Sequence, residues 1–191
     1  MAVSSSYMDA RSILSALRDQ RGVSLPDLPG SSGIYALRDH KGSIRYFGIA
    51  HTEGFRIRIR NKHATGSEDR SHKFSAAYNS GRLWRDRHSE HQEDGAIAKR
   101  VRNQFILTHC SASVFPIADY ASKASLEALE ASVIQLASAD ETIWNRKFKA
   151  LEEPKALVDA LINAMRLGTQ EIAAIERQES RFRETSSCPS S

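Results

Sequence analysis

Residues 33–38 alternate apolar and polar side chains, and residues 43–50 are rich in strand-forming types. Between them Asp39-His40-Lys41-Gly42 places Asp first and Gly last, as a type I turn prefers. The pattern predicts a β-hairpin with an even-numbered loop. If Arg38 pairs with Ser43, Tyr35 lies opposite Tyr46 and both phenols share one face of the ribbon. Such a pair is either cross-strand packing or the beginning of a reactive surface.

A chain of 191 residues is expected to be one domain with appendages, or at most one and a half domains. Its 40% hydrophobic and 26% charged residues fit a globular protein, not a fibrous or disordered one. No apolar run approaches the roughly 20 residues needed to cross a bilayer, so no membrane partner is expected. The segment Met1-Ala2-Val3-Ser4-Ser5-Ser6 lacks the charged and apolar regions of a secretion signal. Cys110 and Cys188 match no metal spacing or disulfide framework, which fits a reducing cytoplasm. The net charge of +4 leans towards an anionic partner.

Along the chain, Ile13, Leu14 and Leu17 predict a short amphipathic helix within residues 7–21. Pro26, Pro29 and Gly30 then break it and lead into the hairpin. Residues 55–60 alternate, yet Thr52 and Glu53 are helix-start residues and Asn61-Lys62-His63 continue without a strand stop, so a helix is expected from Phe55. Residues 66–95 are polar, with short helices expected at 72–78 and 82–87. Residues 96–102 suggest a helical turn. Phe105, Ile106, Leu107 and Thr108 predict a third strand over 104–109, which 114–118 extends or pairs with. Residues 122–139 form the strongest helix, opened or capped by Ser125, with Glu130 beside an apolar stripe of Leu126, Leu129, Val133 and Ile134. Residues 140–148 read as a loop. Pro154 opens a long helix in which Val158, Leu161, Met165, Gly168, Ile172 and Ile175 make a heptad-like seam. That seam packs on its own domain or joins a second copy as a homodimer. The polar tail is expected to be disordered.

The ordered set Leu28-Pro29, Gly33-Ile34-Tyr35, a short turn and Tyr46-Phe47-Gly48 resembles the start of a GIY-YIG endonuclease domain, with Phe47 in place of the central Ile. Three later features resemble the same family in the same order. They are Phe55-x-x-Arg58-Ile59, the acidic helix segment Leu129-Glu130-Ala131-Ser132-Val133-Ile134, and Trp144-Asn145. The resemblance implies an α+β fold, a small three-stranded antiparallel sheet flanked by helices. It also implies an organisation into a helical arm (1–25), a nuclease domain (26–150) with an insertion near 64–95, a C-terminal helix (151–180) and a tail (181–191).

It further implies a DNA endonuclease that hydrolyses phosphodiesters and would be nucleoid-associated when on DNA. Tyr35 and Tyr46 would supply the general base, Tyr46 ahead of Tyr35, and Arg58 would contact the scissile phosphate. Glu130 would hold one Mg²⁺ or Mn²⁺ per site, with water filling most positions. Asn145 would position the acidic helix or the phosphate. Arg56, Arg60, Lys62 and Lys73 would meet DNA, as would Arg82, Trp84 and Arg85 of the insertion. A phenol with a pKa near 10 acts as a base only beside a cation, which is the chemical reason for the arginine. The family commonly has a His or Tyr four residues after that arginine. Here Lys62 stands there and His63 follows one later, about 140° away from Arg58 on an α-helix. Either a local irregularity brings His63 in, or Lys62 takes its role, or Arg56 and His63 form the working pair. Beside catalysis stands a second expectation, a nucleic-acid-binding module with the same fold and lost or altered chemistry. His88-x-x-His91 reads as a surface pair, not a metal site.

Overall fold

A computed structural model describes residues 9–69, 71–117, 122–146 and 150–187. Tyr7, Ala118, Phe148 and Cys188, with the last residues of the tail, lie outside them. The fold is α+β, with an antiparallel four-stranded sheet and several helices. Among the described residues no helix is long and apolar enough to cross a membrane. The chain divides into two compact units, one of Met1–Asn61 with Cys110–Lys147, the other of Lys62–His109 with Phe148–Ser191.

In the first unit, helix α1 (Ala10–Asp19) begins at Asp9, whose carboxylate accepts from the Ser12 N–H at 2.8 Å. Ile13, Leu14 and Leu17 form its buried face, as their spacing predicts. Strands β1 (Val23–Ser24), β2 (Gly33–Arg38), β3 (Ile44–Ala50) and β4 (Ser111–Pro116) lie in the order β1-β4-β2-β3. The expected three-stranded sheet is therefore corrected to four, because the short β1 pairs with β4. The expected third strand over 104–109 is corrected as well. Those residues end a helix, and the strand begins only at Ser111. Arg38 ties the hairpin to α1. Its guanidinium donates to the carbonyls of Leu17, Arg18 and Gln20 at 2.8, 3.0 and 3.1 Å, satisfying groups that the helix end leaves open.

The hairpin closes as expected at its turn, where the Gly42 N–H donates to the Asp39 carbonyl at 2.9 Å and Gly42 takes φ 79°. Its register is not the expected one. The Asp39 N–H bonds the Ser43 carbonyl, Arg38 pairs with Ile44, and a bulge then leaves Leu37 opposite Tyr46 and Tyr35 opposite Gly48. A one-residue slip would have turned the two tyrosines to opposite faces. The bulge restores the parity, so they meet diagonally on one face. On the other face Ile34, Ala36, Phe47 and Ile49 join Ile13, Leu14, Leu17 and Val133 in the core. Helix α4 (Lys123–Leu136) packs there beside α1. Its cap is Ser122, whose hydroxyl accepts from the Ser125 N–H at 3.1 Å, so Ser125 lies inside the first turn and not at the cap.

From Arg56 to Ala64 the chain winds as a nine-residue π-helix. In the second unit, α2 (Lys73–Ala77) and a 3₁₀ turn at Gly81–Leu83 precede α3 (Gln92–His109). Ala98, Val101, Arg102, Phe105 and Ile106 fill the buried face of α3 at helical spacing. The C-terminal region is two helices, not one: α5 (Lys155–Met165) and α6 (Thr169–Ser187). The break is at Arg166, a non-glycine residue in the left-handed region at φ 50°. Helix α6 runs through residues 181–187, where disorder was expected. It packs on α3, so part of the heptad-like seam is buried within its own unit at Val158, Leu161 and Ile175.

Candidate active site

Tyr35 and Tyr46 lie with ring centroids 6.1 Å apart, and Phe55 meets Tyr35 edge-on at 6.3 Å. Gly48 is the floor of this pair. A Cβ there would come within 2.6 Å of Tyr35 Cζ and Oη and of Tyr46 Cε1, so a side chain cannot be added without moving the rings. The Tyr35 ring is fully buried, whereas Tyr46 is half-buried. The Arg58 guanidinium donates to the Tyr35 hydroxyl, and the Tyr35 and Tyr46 hydroxyls share a hydrogen bond. A chain of hydrogen bonds through Arg58, Tyr35 and Tyr46 results, with the less buried phenol at its end.

Charges are set against one another at this cluster. Burial pushes the Tyr46 phenol up to about 12, with the Glu130 carboxylate adding to the rise and Arg58 opposing it. Tyr35 is raised well above its ordinary value by burial and by Tyr46, again against Arg58. Burial opposes the charge of Arg58, but the two phenols and Glu53 outweigh it and hold the guanidinium above its usual range. Glu130 is pushed up to about 6 by burial and by neighbouring Glu127. Glu130 is thus within electrostatic reach of both tyrosines and of Arg58. Glu127, one turn earlier, is exposed and pairs with Lys123 at 3.2 Å, an ordinary surface carboxylate.

Asn145 is committed to the backbone of the edge strand β3. Its Oδ1 accepts from the Phe47 N–H at 3.0 Å and its Nδ2 donates to the Phe47 carbonyl at 2.9 Å. The amide holds the Tyr46-Phe47-Gly48 segment, and no sequence pattern announces that partner. Neighbouring Trp144 is buried and donates its N–H to the Arg45 carbonyl at 3.0 Å.

The π-winding changes the spacing argument for His63. Its hydrogen bonds run from residue i to i+5, which widens the turn, so the separation of about 140° expected on an α-helix does not hold along it. His63 is fully buried, and its Nδ1 accepts from the Lys73 N–H at 3.1 Å, which leaves the proton of a neutral ring on Nε2.

The remaining basic and aromatic candidates are differently placed. Arg56 lies in the first unit and donates from Nε to the Leu28 carbonyl at 3.0 Å; Arg60 lies on the same helix. Lys62, Lys73, Arg82, Trp84 and Arg85 belong to the second unit. There Arg82 is engaged by Glu153 at 2.6 Å and Asp159 at 2.6 Å, so its charge is already balanced. Trp84 packs on Phe182 with centroids 5.8 Å apart. Arg85 stands 3.9 Å from Glu68. His91 bonds Asp86 at 2.7 Å. Cys110, in the first unit, is buried.

Among the described residues no group of three or more His, Cys, Asp or Glu side chains is able to hold a metal ion. Glu130 is half-buried, and its neighbours in charge are Glu127 and Arg58. Compared with protein-family models, with curated proteins and with solved structures, the chain matches none.

Proposed function

We propose that this chain is a GIY-YIG-type endonuclease that hydrolyses DNA phosphodiesters, with its three-stranded family core represented by β2, β3 and β4. The observation that carries the reading is the chain of hydrogen bonds through Arg58, Tyr35 and Tyr46, with the Glu130 charge felt at both phenols. Hydrolysis needs an oriented water, an acceptor for its proton, and positive charge where the pentavalent phosphorus centre gathers negative charge. Tyr46 is the less buried end of these hydrogen bonds and meets the water. Tyr35, fully buried, polarises it through the hydrogen bond they share. Arg58 clamps the phosphate and opposes the rise in both phenol pKa values. Glu130 would hold one Mg²⁺ or Mn²⁺, which supplies positive charge to the phosphate and leaving oxygen when bound. Asn145 acts as a positioning residue through the Phe47 backbone.

Supercoiled plasmid nicking with Mg²⁺ tests this. Wild-type cutting is expected, lowered about 100-fold or more in Tyr46→Phe and abolished in Arg58→Ala and Glu130→Ala. Cutting that survives both Arg58→Ala and Glu130→Ala would sink the proposal. A second reading, a DNA-binding module without cleavage, draws support from Tyr46 itself, whose phenol at about 12 stays protonated at neutral pH unless further positive charge arrives. Salt-dependent DNA retention without any nicking favours that reading.

A further inference from the structure

Within the second unit three guanidinium groups converge on one carboxylate. Arg102, fully buried on α3, donates from Nη2 to Glu68 Oε1 and from Nη1 to Asn79 Oδ1 at 2.6 Å and to the Leu83 carbonyl at 3.0 Å. Arg87 donates from Nε and Nη2 to Glu68 Oε2 at 3.3 and 3.0 Å. Arg85 Nη1 stands 3.9 Å from the same oxygen. The Glu68 side chain is only 4% exposed. Asp69, the other carboxylate that pairs with these arginines among the described residues, is 59% exposed and reaches Arg87 at 3.5 Å. Positive charge is therefore in excess. Burial, together with repulsion from Arg85 and Arg87, presses the Arg102 pKa below its ordinary value in spite of Glu68.

Donors are in excess as well. The Nε–H groups of both Arg85 and Arg102 are buried with no acceptor among the described residues. Leaving such groups unmet is costly, and an ion pair built only to hold the fold would have no reason to keep spare donors. A carboxylate has two oxygens, and both are already taken. A phosphate monoester presents three terminal oxygens and up to two negative charges, which matches three forked guanidiniums better than Glu68 does.

We propose that Arg85, Arg87 and Arg102 form a binding site for a terminal or free phosphate, which Glu68 occupies from within the chain and a phosphate displaces. The site does not depend on the Tyr35–Tyr46 chemistry, and its test does not read cleavage.

Thermal unfolding of the full chain in inorganic phosphate, against chloride of matched ionic strength, tests it. Glu68→Ala is expected to melt below wild type in chloride. Millimolar phosphate should raise its Tm by about 4 °C or more, with a smaller rise in wild type, where Glu68 competes. Adding Arg85→Ala to Glu68→Ala should abolish the rise. If Glu68→Ala does not fold, Glu68→Gln keeps the side-chain shape and carries the same expectation. Oligonucleotides with and without a 5′-phosphate separate the sources. At least tenfold tighter binding of the phosphorylated strand to the Glu68 variant assigns the site to a nucleic-acid end, and equal binding assigns it to free phosphate. A Tm that rises no more in phosphate than in chloride, or a rise that survives Arg85→Ala, overturns the proposal.

Discussion

Burial and the neighbouring Glu127 hold the Glu130 carboxyl at about 6, above its ordinary 4.5, so folding disfavours its ionised form. That penalty is complete above about pH 6 and disappears below about pH 4.5, where both folded and unfolded chains carry the proton. Glu130→Gln is therefore expected to raise stability at pH 8 by about 1 kcal/mol, a value reduced for the residue's partial exposure. The gain should vanish in melts at pH 4, and nicking should be lost at every pH. Stabilisation with loss of activity would mark a residue kept for chemistry. Gly48 makes a second test. Gly48→Ala should cost about 1–3 kcal/mol through the overpacked tyrosine rings, read by urea unfolding, and should lower nicking at least tenfold. The tyrosines, Arg58 and Glu130 were legible as residue types in order. The Phe47 backbone clamp by Asn145 was not, because a side-chain amide that pairs with a strand edge leaves no periodic trace.

Among the elements, β3 is the sheet edge, and Asn145 supplies it with the two hydrogen bonds that a further strand would have made. Asn145→Ala should destabilise by about 1–3 kcal/mol, since the Phe47 N–H and carbonyl lose their partners. Asn145→Asp should fall between the two, because it keeps the acceptor and loses the donor. Chemical denaturation checks the order. Arg166 pays a backbone cost at φ 50° between α5 and α6, and Arg166→Gly is expected to stabilise by about 0.5–1 kcal/mol in the same assay. The elements also explain which readings failed. Phe105-Ile106-Leu107-Thr108 has strand propensity, but Ala98, Val101 and Arg102 upstream continue one helical face, and that packing overrides the local preference. The true strand, Ser111–Pro116, opens with Ser, Ala and Ser before Val114 and Phe115, and holds its place by burial between β1 and β2. The turn was legible from Asp39 and Gly42. The register was not, since the bulge has no residue signature of its own.

On the scale of the whole molecule, Val158, Leu161 and Ile175 are buried within the second unit, so sedimentation of the pure protein is expected to give a monomer. A concentration-dependent dimer would show that another surface associates. The two-unit organisation was only half legible. The polar stretch after residue 64 stood out as an insertion, but its completion by residues 148–191 could not be read from periodicity. The interleaving has a consequence for biosynthesis. The tyrosines and Arg58 leave the ribosome before β4, the strand that separates β1 from β2, which begins only at Ser111, and Glu130 follows later still. Residues 62–109 of the second unit are made in between. On the proposed reading, any power to cut DNA would arise only after Glu130 has been translated and β4 has closed the sheet.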